Sequence, residues 1–255
     1  MELRVVGCHG GETPNHRTTA FVVDDKLAID AGSLTSGIGL RAQFALEACL
    51  VSHAHLDHVR DLATIADNRC QTRCPPLLVV APAPTLRVLR AHFFNGKIWP
   101  DFSKIPSVAH PTIRFQAIRP EVPTTVAGYR VRAIPVSHTI DSVGYVVDDG
   151  EAALAFSGDT GPTDRLWEVL NDEPRLRALL MEVSFPDDER RLASLSGHHT
   201  PKTLAADLRK LRKPKELPTL LYHMKPSFQS QIERECAALR GLDLTVLRLG
   251  DQFVL

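Results

Sequence analysis

The chain has 255 residues, with 30 Lys plus Arg against 30 Asp plus Glu, so its formal net charge is zero. This balance argues against a general nucleic-acid-binding protein, whose affinity depends on neutralising phosphates. No apolar stretch approaches the roughly 20 residues that cross a bilayer, and the N-terminus lacks the apolar segment of a secretory signal. We therefore expect a cytoplasmic protein with no membrane contact, in which the five cysteines stay reduced.

Short apolar runs alternate with helical periods in the first half of the chain. The runs predict strands and the amphipathic stretches predict helices: strands at 2–7, 18–24, 26–32, 46–53 and 76–82, and helices at 58–69 and 84–94. Residues 95–111 contain three Pro and one Gly with little periodicity, which indicates a long loop. Loops of this length in a compact domain are often functional.

The second half repeats this alternation. It predicts strands at 112–118, 129–137, 143–148, 152–157, 178–184, 217–224 and 243–249, and helices at 163–172, from Thr200 to Leu211, and at 229–240. Thr200 is the expected N-cap of its helix, with Pro201 at the first helical position. No Gly/Ser linker or charge block interrupts the pattern, so residues 1–255 are expected to form a single layered α/β domain.

Eleven histidines are unusual in a chain with no His-rich tract, and four residues of metal-binding types cluster in SHAHLDHVRDL (52–62). His53, His55, Asp57 and His58 follow a predicted buried strand directly. Imidazole and carboxylate together suit Zn²⁺, Mn²⁺ or Fe²⁺. His53 and His55 can face one point, while Asp57 and His58 turn toward a second point about 3.5–4 Å away, as in two-metal sites. A single histidine here would indicate only a polar helix start, but the group favours a metal site.

Three further candidate ligands stand at the ends of predicted strands. They are His138 after VRAIPVSH, Asp159 after AALAFSGD and His223 after TLLYH. In layered α/β proteins, ligands gather where strands finish and loops begin. With Asp159 as a bridging carboxylate, the seven side chains supply four ligands to each of two ions.

The order HxHxDH, His, Asp, His resembles the metallo-β-lactamase superfamily, and His53-x-His55-x-Asp57-His58, His138, Asp159 and His223 match it in turn. IDAG (29–32) and GCHGG (7–11) resemble the superfamily's early turns. The resemblance implies a four-layer αββα sandwich with a dinuclear site at one edge between its sheets. It also implies two divalent metal ions, with Zn²⁺ as the first expectation and Mn²⁺ or Fe²⁺ as alternatives.

Within the superfamily, the sequence is most similar to class II 3′,5′-cyclic-nucleotide phosphodiesterases. The matching segments are HAHLDH, NGKIWPDFSKIP (95–106), FSGDTG (156–161), EVSFP (182–186), SGHHTP (196–201) and YHMKP (222–226). Arg60-Asp61 stands where the family commonly has Gly, which could alter a turn near the metals. The resemblance implies hydrolysis of cyclic AMP or cyclic GMP to the 5′-monophosphate by a hydroxide held between two metals.

Several side chains receive roles on this basis. Asp57 is expected to ligate a metal and orient the nucleophile, and His198 to donate a proton at the leaving oxygen, with His199 as the rival. Trp99 and Phe102 could stack on a purine or could instead pin their loop to the core. Lys225 could meet phosphate or could be a solvated charge at a strand end. The metal loop is the segment 52–62 that carries the first four candidate ligands. Asp30 is expected to fix this loop by hydrogen bonds.

Three alternatives remain open. A tRNA 3′-processing endonuclease shares the metal motif, but the neutral chain shows no basic arm for gripping tRNA. A hydrolase of a lactam, lactone or thioester could use the same metal platform, as could a non-enzymatic metal-binding protein. The expected partner is a small cyclic nucleotide rather than a stably bound nucleic acid, and a homodimer is compatible with the resemblance.

Overall fold

The computed structural model describes residues 1–72 and 74–255. Within these residues it contains the following strands: β1 (Glu2–Gly7), β2 (Ala20–Val23), β3 (Leu27–Ile29), β4 (Ala48–Leu50), β5 (Leu77–Ala81), β6 (Ile113–Ala117), β7 (Thr124–Val126), β8 (Tyr129–Pro135), β9 (Val143–Asp148), β10 (Ala153–Phe156), β11 (Leu176–Glu182), β12 (Thr219–Tyr222), β13 (Leu244–Val246) and β14 (Gln252–Val254). The helices are α1 (Leu34–Gly37), α2 (Leu40–Ala45), α3 (Leu56–Val59), α4 (Asp61–Cys70), α5 (Ala83–Val88), α6 (Arg165–Asn171), α7 (Arg190–Ser196), α8 (Pro201–Leu208) and α9 (Gln229–Ala238).

The strands form two sheets with the same internal plan. The first has the order β14-β1-β2-β3-β4-β5-β6, and the second has the order β13-β12-β11-β10-β9-β8-β7. In each sheet, one half is antiparallel, and the other half is a parallel block, β3 to β6 in the first and β10 to β13 in the second. The carboxyl ends of parallel strands meet at one edge of a sheet, which is where loops can converge on a site.

Three hydrophobic clusters separate four layers. The central one lies between the sheets and includes Phe21, Tyr145 and Phe156. A second packs α1, α4 and α5 on the first sheet, around residues such as Leu62. A third packs α6, α8 and α9 on the second sheet, around Trp167. This arrangement confirms the predicted αββα sandwich.

The observed elements are mostly shorter than the predicted ones. The strand predicted at 46–53 is β4 (Ala48–Leu50), so His53 lies beyond it in a loop, and the helix predicted at 84–94 is α5 followed by a π-helical turn at Leu89–Phe93. The Thr200 cap is confirmed, because its side chain accepts a hydrogen bond from the Thr203 amide. Among the described residues, no helix combines the length and the apolar character that crossing a membrane requires.

Candidate metal centre

All seven predicted metal ligands come together at one edge of the sandwich. After β4 the chain runs extended through Ser52 to His55 and then forms the single turn of α3, which carries Asp57 and His58. The other three ligands follow strands of the second sheet, namely His138 after β8, Asp159 after β10 and His223 after β12. Side chains from loops of both sheets therefore converge on one site.

His53, His55 and His138 form the first donor group, in which ligand-type atoms all lie within 4.8 Å of one another. His53 Nε2 is 3.1 Å from His55 Nδ1, and His138 Nε2 is 3.2 Å from the same nitrogen. Three imidazole nitrogens that meet at one point are a common donor set for Zn²⁺ and other first-row metals.

Asp57, His58, Asp159 and His223 form the second donor group, again within 4.8 Å. Asp159 Oδ2 lies 3.2 Å from His58 Nε2 and 3.3 Å from His223 Nε2. Asp57 Oδ2 lies 3.4 Å from His223 Nε2. Asp159 Oδ2 is also 3.8 Å from His53 Nε2, so this carboxylate borders both groups, as a bridging ligand must.

Asp30 orients the histidines of the metal loop from behind. His58 Nδ1 donates to Asp30 Oδ2 across 2.7 Å, which leaves the lone pair of His58 Nε2 facing the second donor group. Ser52 Oγ donates to the same carboxylate oxygen and accepts from His53 Nδ1 across 3.0 Å. Asp30 has a φ of 56°, a left-handed conformation that is unfavourable for most non-glycine residues. This geometry agrees with the supporting role predicted for Asp30.

Glu182 and Ser184 hold His223 in the same way. Ser184 Oγ donates to Glu182 Oε2 across 2.8 Å and accepts from His223 Nδ1 across 2.8 Å. His138 Nδ1 in turn donates to the Gly197 carbonyl oxygen across 2.9 Å. Sequence patterns predicted no role for Glu182 or Ser184 of EVSFP, although an acidic residue at the end of β11 was the available signal.

The protonation states of these side chains favour binding of a cation over hydrogen bonds among the side chains themselves. The outer hydrogen bonds of His58, His223 and His138 favour the tautomers in which the nitrogens that meet in each group present lone pairs, and Asp159 Oδ1 is buried with no hydrogen-bond partner among the described residues. Burial opposes the ionised form of Asp159, but the imidazoles of His223 and His58 outweigh it and keep the Asp159 pKa well below its usual range. Burial lowers the pKa of His53, so its ring stays neutral as a ligand must be. The residues therefore fit divalent metal ions.

His198 lies beside the donor groups. Its ring stacks on that of His223, with centroids 5.2 Å apart, and His198 Nδ1 donates to Glu182 Oε1 across 3.0 Å. Burial disfavours the charged ring, but the Glu182 carboxylate outweighs this effect and raises the pKa of His198. A protonated imidazole at this position is suited to donating a proton to a leaving oxygen.

His199, the rival assignment, is fully buried in the helical layer of the second sheet. Its Nδ1 lies 3.1 Å from Thr203 Oγ1, and its Nε2 lies 3.7 Å from Asp207 Oδ2. The geometry therefore favours His198 over His199 as the side chain that meets a substrate.

The structure does not support base stacking by the loop at 95–111. Phe102 is 3% exposed and belongs to the core under the first sheet, so its ring cannot reach a ligand. Trp99 packs against the same core and donates its indole N–H to the Ala63 carbonyl oxygen across 3.1 Å. Both residues anchor the loop to the core, which is the second of the two alternatives that the sequence left open.

Lys225 is half-buried, which differs from a fully solvated charge at a strand end. Its Nζ donates to the Gly10 carbonyl oxygen across 2.7 Å. Gly10 belongs to the predicted Gly-rich turn, and a Cβ added there would lie 2.4 Å from the His223 carbonyl oxygen. His223 itself has a φ of 71°. The turn thus packs directly behind a metal ligand held in an unfavourable backbone conformation.

Arg60 and Asp61, which depart from the family pattern, stabilise the turn. Asp61 Oδ2 accepts from both the amide and the hydroxyl of Thr35 at 2.7 Å, at the start of α1. Arg60 Nε donates to Asp61 Oδ1 across 3.0 Å. These side chains tie α1 to the metal loop and displace none of the seven ligands.

A cavity of 1180 Å³ opens beside the first donor group. His55 and His138 belong to its wall, which is completed by the loops that follow β5, β6 and β8. The wall is mainly apolar and contains four prolines: Pro82, Pro84, Pro120 and Pro135. Its charged residues are Arg119 and Asp141. The volume slightly exceeds the roughly 300–1,000 Å³ typical of small-ligand sites, so a mononucleotide fits.

Residues 37–224 match the family described as "Beta-lactamase superfamily domain". Because the match spans most of the chain and the fold and donor set agree with it, the chain belongs to this family. Family membership confirms the predicted superfamily and implies binding of divalent metal.

The relatives refine this assignment. A Yersinia pestis protein named "Probable 3',5'-cyclic-nucleotide phosphodiesterase" is 29% identical over 300 residues, which covers 98% of this chain and 84% of that protein. A Mycobacterium (strain KMS) protein named "Ribonuclease Z" is 27% identical over 151 residues, or 56% of this chain and 52% of that protein. The unliganded yeast PDE1 structure has a TM-score of 0.84 at 18% identity, over 100% of this chain and 99% of that one. This last likeness concerns the fold. The resemblance to cyclic-nucleotide phosphodiesterases is thereby confirmed.

Proposed function

We propose that the protein hydrolyses 3′,5′-cyclic nucleotides to 5′-monophosphates. The observation that carries this proposal is the position of His198, a buried imidazole with a raised pKa, beside seven convergent donors, two of which, His55 and His138, line a nucleotide-sized cavity. Similarity to the Yersinia pestis protein over nearly the whole chain supports the same activity.

Two divalent ions are proposed for the two donor groups, with Zn²⁺ favoured because five of the seven donors are imidazoles. When bound, such ions would lower the pKa of water and offset negative charge on phosphoryl oxygens. His53, His55 and His138 would hold one ion, and Asp57, His58 and His223 the other, with Asp159 bordering both.

The side chains around the donors supply positioning and proton transfer. Asp57, 28% exposed at its side chain, lies at the open face of its group and would orient the attacking water. Water attacks phosphorus in line, the bond from phosphorus to the 3′ oxygen breaks, and the product keeps its 5′ ester bond. His198 gives its proton to the departing 3′ oxygen, and Glu182 holds the ring in position for that transfer.

A ribonuclease Z-like activity is the principal alternative. The matching ribonuclease covers only 56% of this chain, and the formal net charge of zero supplies no general attraction for tRNA. We therefore propose a small cytoplasmic nucleotide as substrate, without a stable nucleic-acid partner.

The test compares hydrolysis of cyclic AMP, cyclic GMP and a tRNA precursor by purified protein of measured metal content. We expect 5′-monophosphates from the cyclic nucleotides and loss of turnover after chelation. Cleavage of the tRNA precursor alone would support the endonuclease. Metal-loaded protein that turns over neither cyclic nucleotides nor bis(p-nitrophenyl) phosphate would contradict the proposal, and hydrolysis of a lactam, lactone or thioester would then identify the reaction.

Substitution of His198 tests its role. His198→Ala should lower kcat roughly 10²- to 10⁴-fold, the usual contribution of a general acid, while metal content stays constant. His92→Ala is the matched control, because His92 is exposed and outside the donor groups. Loss of metal from the His198 variant would instead assign that residue to the metal site.

A further inference from the structure

Two charged side chains in the cavity wall have no partners. Arg119 follows β6, Asp141 precedes β9, and both are exposed. In the ranges 1–72 and 74–255, neither side chain makes an ion pair or a hydrogen bond, including with the other. In a mainly apolar wall, an unpaired cation and an unpaired anion are sites where a ligand can supply the missing partners.

The neighbouring charges do not neutralise Arg119. Glu121, two residues along the chain, is already bound by other arginines: Arg132 at 2.7 Å and Arg165 at 2.8 Å. These pairs hold the pKa of Glu121 at about 2. The Glu121 carboxylate is therefore fully engaged outside the cavity, and the Arg119 guanidinium remains available to a ligand.

We propose that this cavity binds the nucleobase of the substrate and that Asp141 and Arg119 select guanine. The proposal rests on the proposed function for the position of the phosphate at the donor groups. Guanine presents two adjacent donors, N1–H and the 2-amino group, and two acceptors, O6 and N7. A carboxylate can accept from both donors, and a guanidinium can donate to both acceptors.

Adenine fits these side chains less well. Its 6-amino group is a donor, but the adjacent N1 is an acceptor, so the second carboxylate oxygen of Asp141 would face a lone pair. A site that hydrogen-bonds particular groups rejects analogues that lack them, because its own polar groups are then left unpaired. The flat faces of either purine can be covered equally by wall residues such as Pro84, Ile118 and Val136.

The test measures binding of guanosine, inosine and adenosine by titration calorimetry, with metal-loaded and with chelated protein. Because nucleosides carry no phosphate, their binding does not depend on turnover. We expect guanosine to bind most tightly, inosine less tightly because it lacks the 2-amino group, and adenosine least tightly. The same order is expected with and without metal.

Asp141→Asn gives the sharpest result, because an amide donates as well as accepts. It should weaken guanosine binding roughly 10- to 100-fold and leave adenosine binding equal or stronger, since an amide can pair with the adenine edge. Asp67→Asn, the same change at an exposed acid outside the cavity, should alter neither nucleoside. Arg119→Met should weaken guanosine and inosine alike, since both retain O6 and N7.

The outcomes separate this inference from the proposed function. Equal binding of guanosine and adenosine, or guanosine binding unchanged in Asp141→Asn, would overturn guanine selection even if cyclic nucleotides are hydrolysed. Guanosine binding that depends on Asp141, in a protein that hydrolyses neither cyclic GMP nor cyclic AMP, would retain the base site and contradict the proposed reaction. Thermal melting of each variant, expected to be unchanged for these exposed residues, verifies that a loss of binding is not a loss of fold.

Discussion

The pair formed by Glu182 and His198 shows how one residue sets the chemistry of another. Glu182 is fully buried, and its two carboxylate oxygens serve different histidines. Oε1 accepts from His198 Nδ1, and Oε2 accepts from Ser184, which in turn accepts from His223. A single carboxylate thus orients the proposed proton donor and one proposed metal ligand, which makes Glu182 a positioning residue for both.

Glu182→Gln separates the charge of this residue from its shape. The neutral amide can no longer raise the pKa of His198, so the protonated ring is lost at a lower pH than in the parent protein. Since the proposed step needs that proton, we expect the alkaline limb of the kcat profile to shift toward lower pH. The measurement is kcat against pH at saturating metal, and an unshifted limb would show that Glu182 does not set the proton affinity of His198.

At this scale, the sequence predicted the candidate metal ligands and the support from Asp30, but not the support from Glu182 and Ser184. HxHxDH places four ligands in one short segment, and the three later ligands stand at strand ends. Glu182, Ser184 and Arg119 gain their roles only from tertiary neighbours that are distant in the sequence. The sequence left Phe102 open between a substrate contact and the core for the same reason, because an aromatic residue in a loop can face either a ligand or the core.

The loop at 95–111 is held as a unit by its aromatic residues. Phe102 fills the core under the first sheet, and the Phe102 carbonyl oxygen accepts from the Thr112 amide just before β6. Trp99 ties the other end to α4 through Ala63. The loop therefore contributes to stability, and through β6 it supports the wall that carries Arg119.

Phe102→Ala should lower the free energy of unfolding by about 3–5 kcal/mol, the usual cost of deleting a buried Phe ring. Trp99→Phe should leave the KM for a cyclic nucleotide unchanged, because it removes the hydrogen bond to Ala63 and part of the packing against the core, neither of which involves the substrate. Denaturant unfolding and steady-state kinetics check these expectations, with Ile98→Ala as control since Ile98 is 65% exposed. A raised KM in Trp99→Phe at normal stability would restore the idea of a substrate contact.

The elements that the sequence did not predict are short. The helices α1, α2 and α7 and the strands β7 and β14 each span three to seven residues, too few to show a clear hydrophobic period. β14 exists because it pairs with the edge of β1 through contacts such as Leu3 with Phe253. Long periodic segments such as α4 and β8 needed no such partner to be recognised.

The whole molecule is two similar seven-stranded sheets packed face to face, with the candidate metal centre at one edge of the sandwich. The first sheet contributes the metal loop, and the second contributes His138, Asp159 and His223. Alternation of strands and helices predicted the layers, but the pairing of the two sheets was available only through the family resemblance, because no local pattern specifies which faces meet.

Chelation should therefore lower the melting temperature of the whole protein rather than of one loop. A bound ion stabilises the folded state by RT ln(1 + [M]/Kd), which is about 2.7 kcal/mol at a hundredfold excess over Kd. Calorimetry with and without a chelator measures the shift. His223→Ala should melt at one temperature in either condition if its ion is the stabilising one, and an identical melting temperature for parent protein in both conditions would refute the prediction.

The spread of ligands from His53 to His223 also has a consequence for synthesis of the chain. A nascent chain that has passed His58 carries four donors from a flexible segment, and metal affinity is weak until a site is assembled by folding. The second sheet contributes its last donor only when residue 223 has been made. If these residues hold the metals as proposed, partly synthesised chains would lack hydrolytic activity, and metal retention would report that the two sheets have packed together.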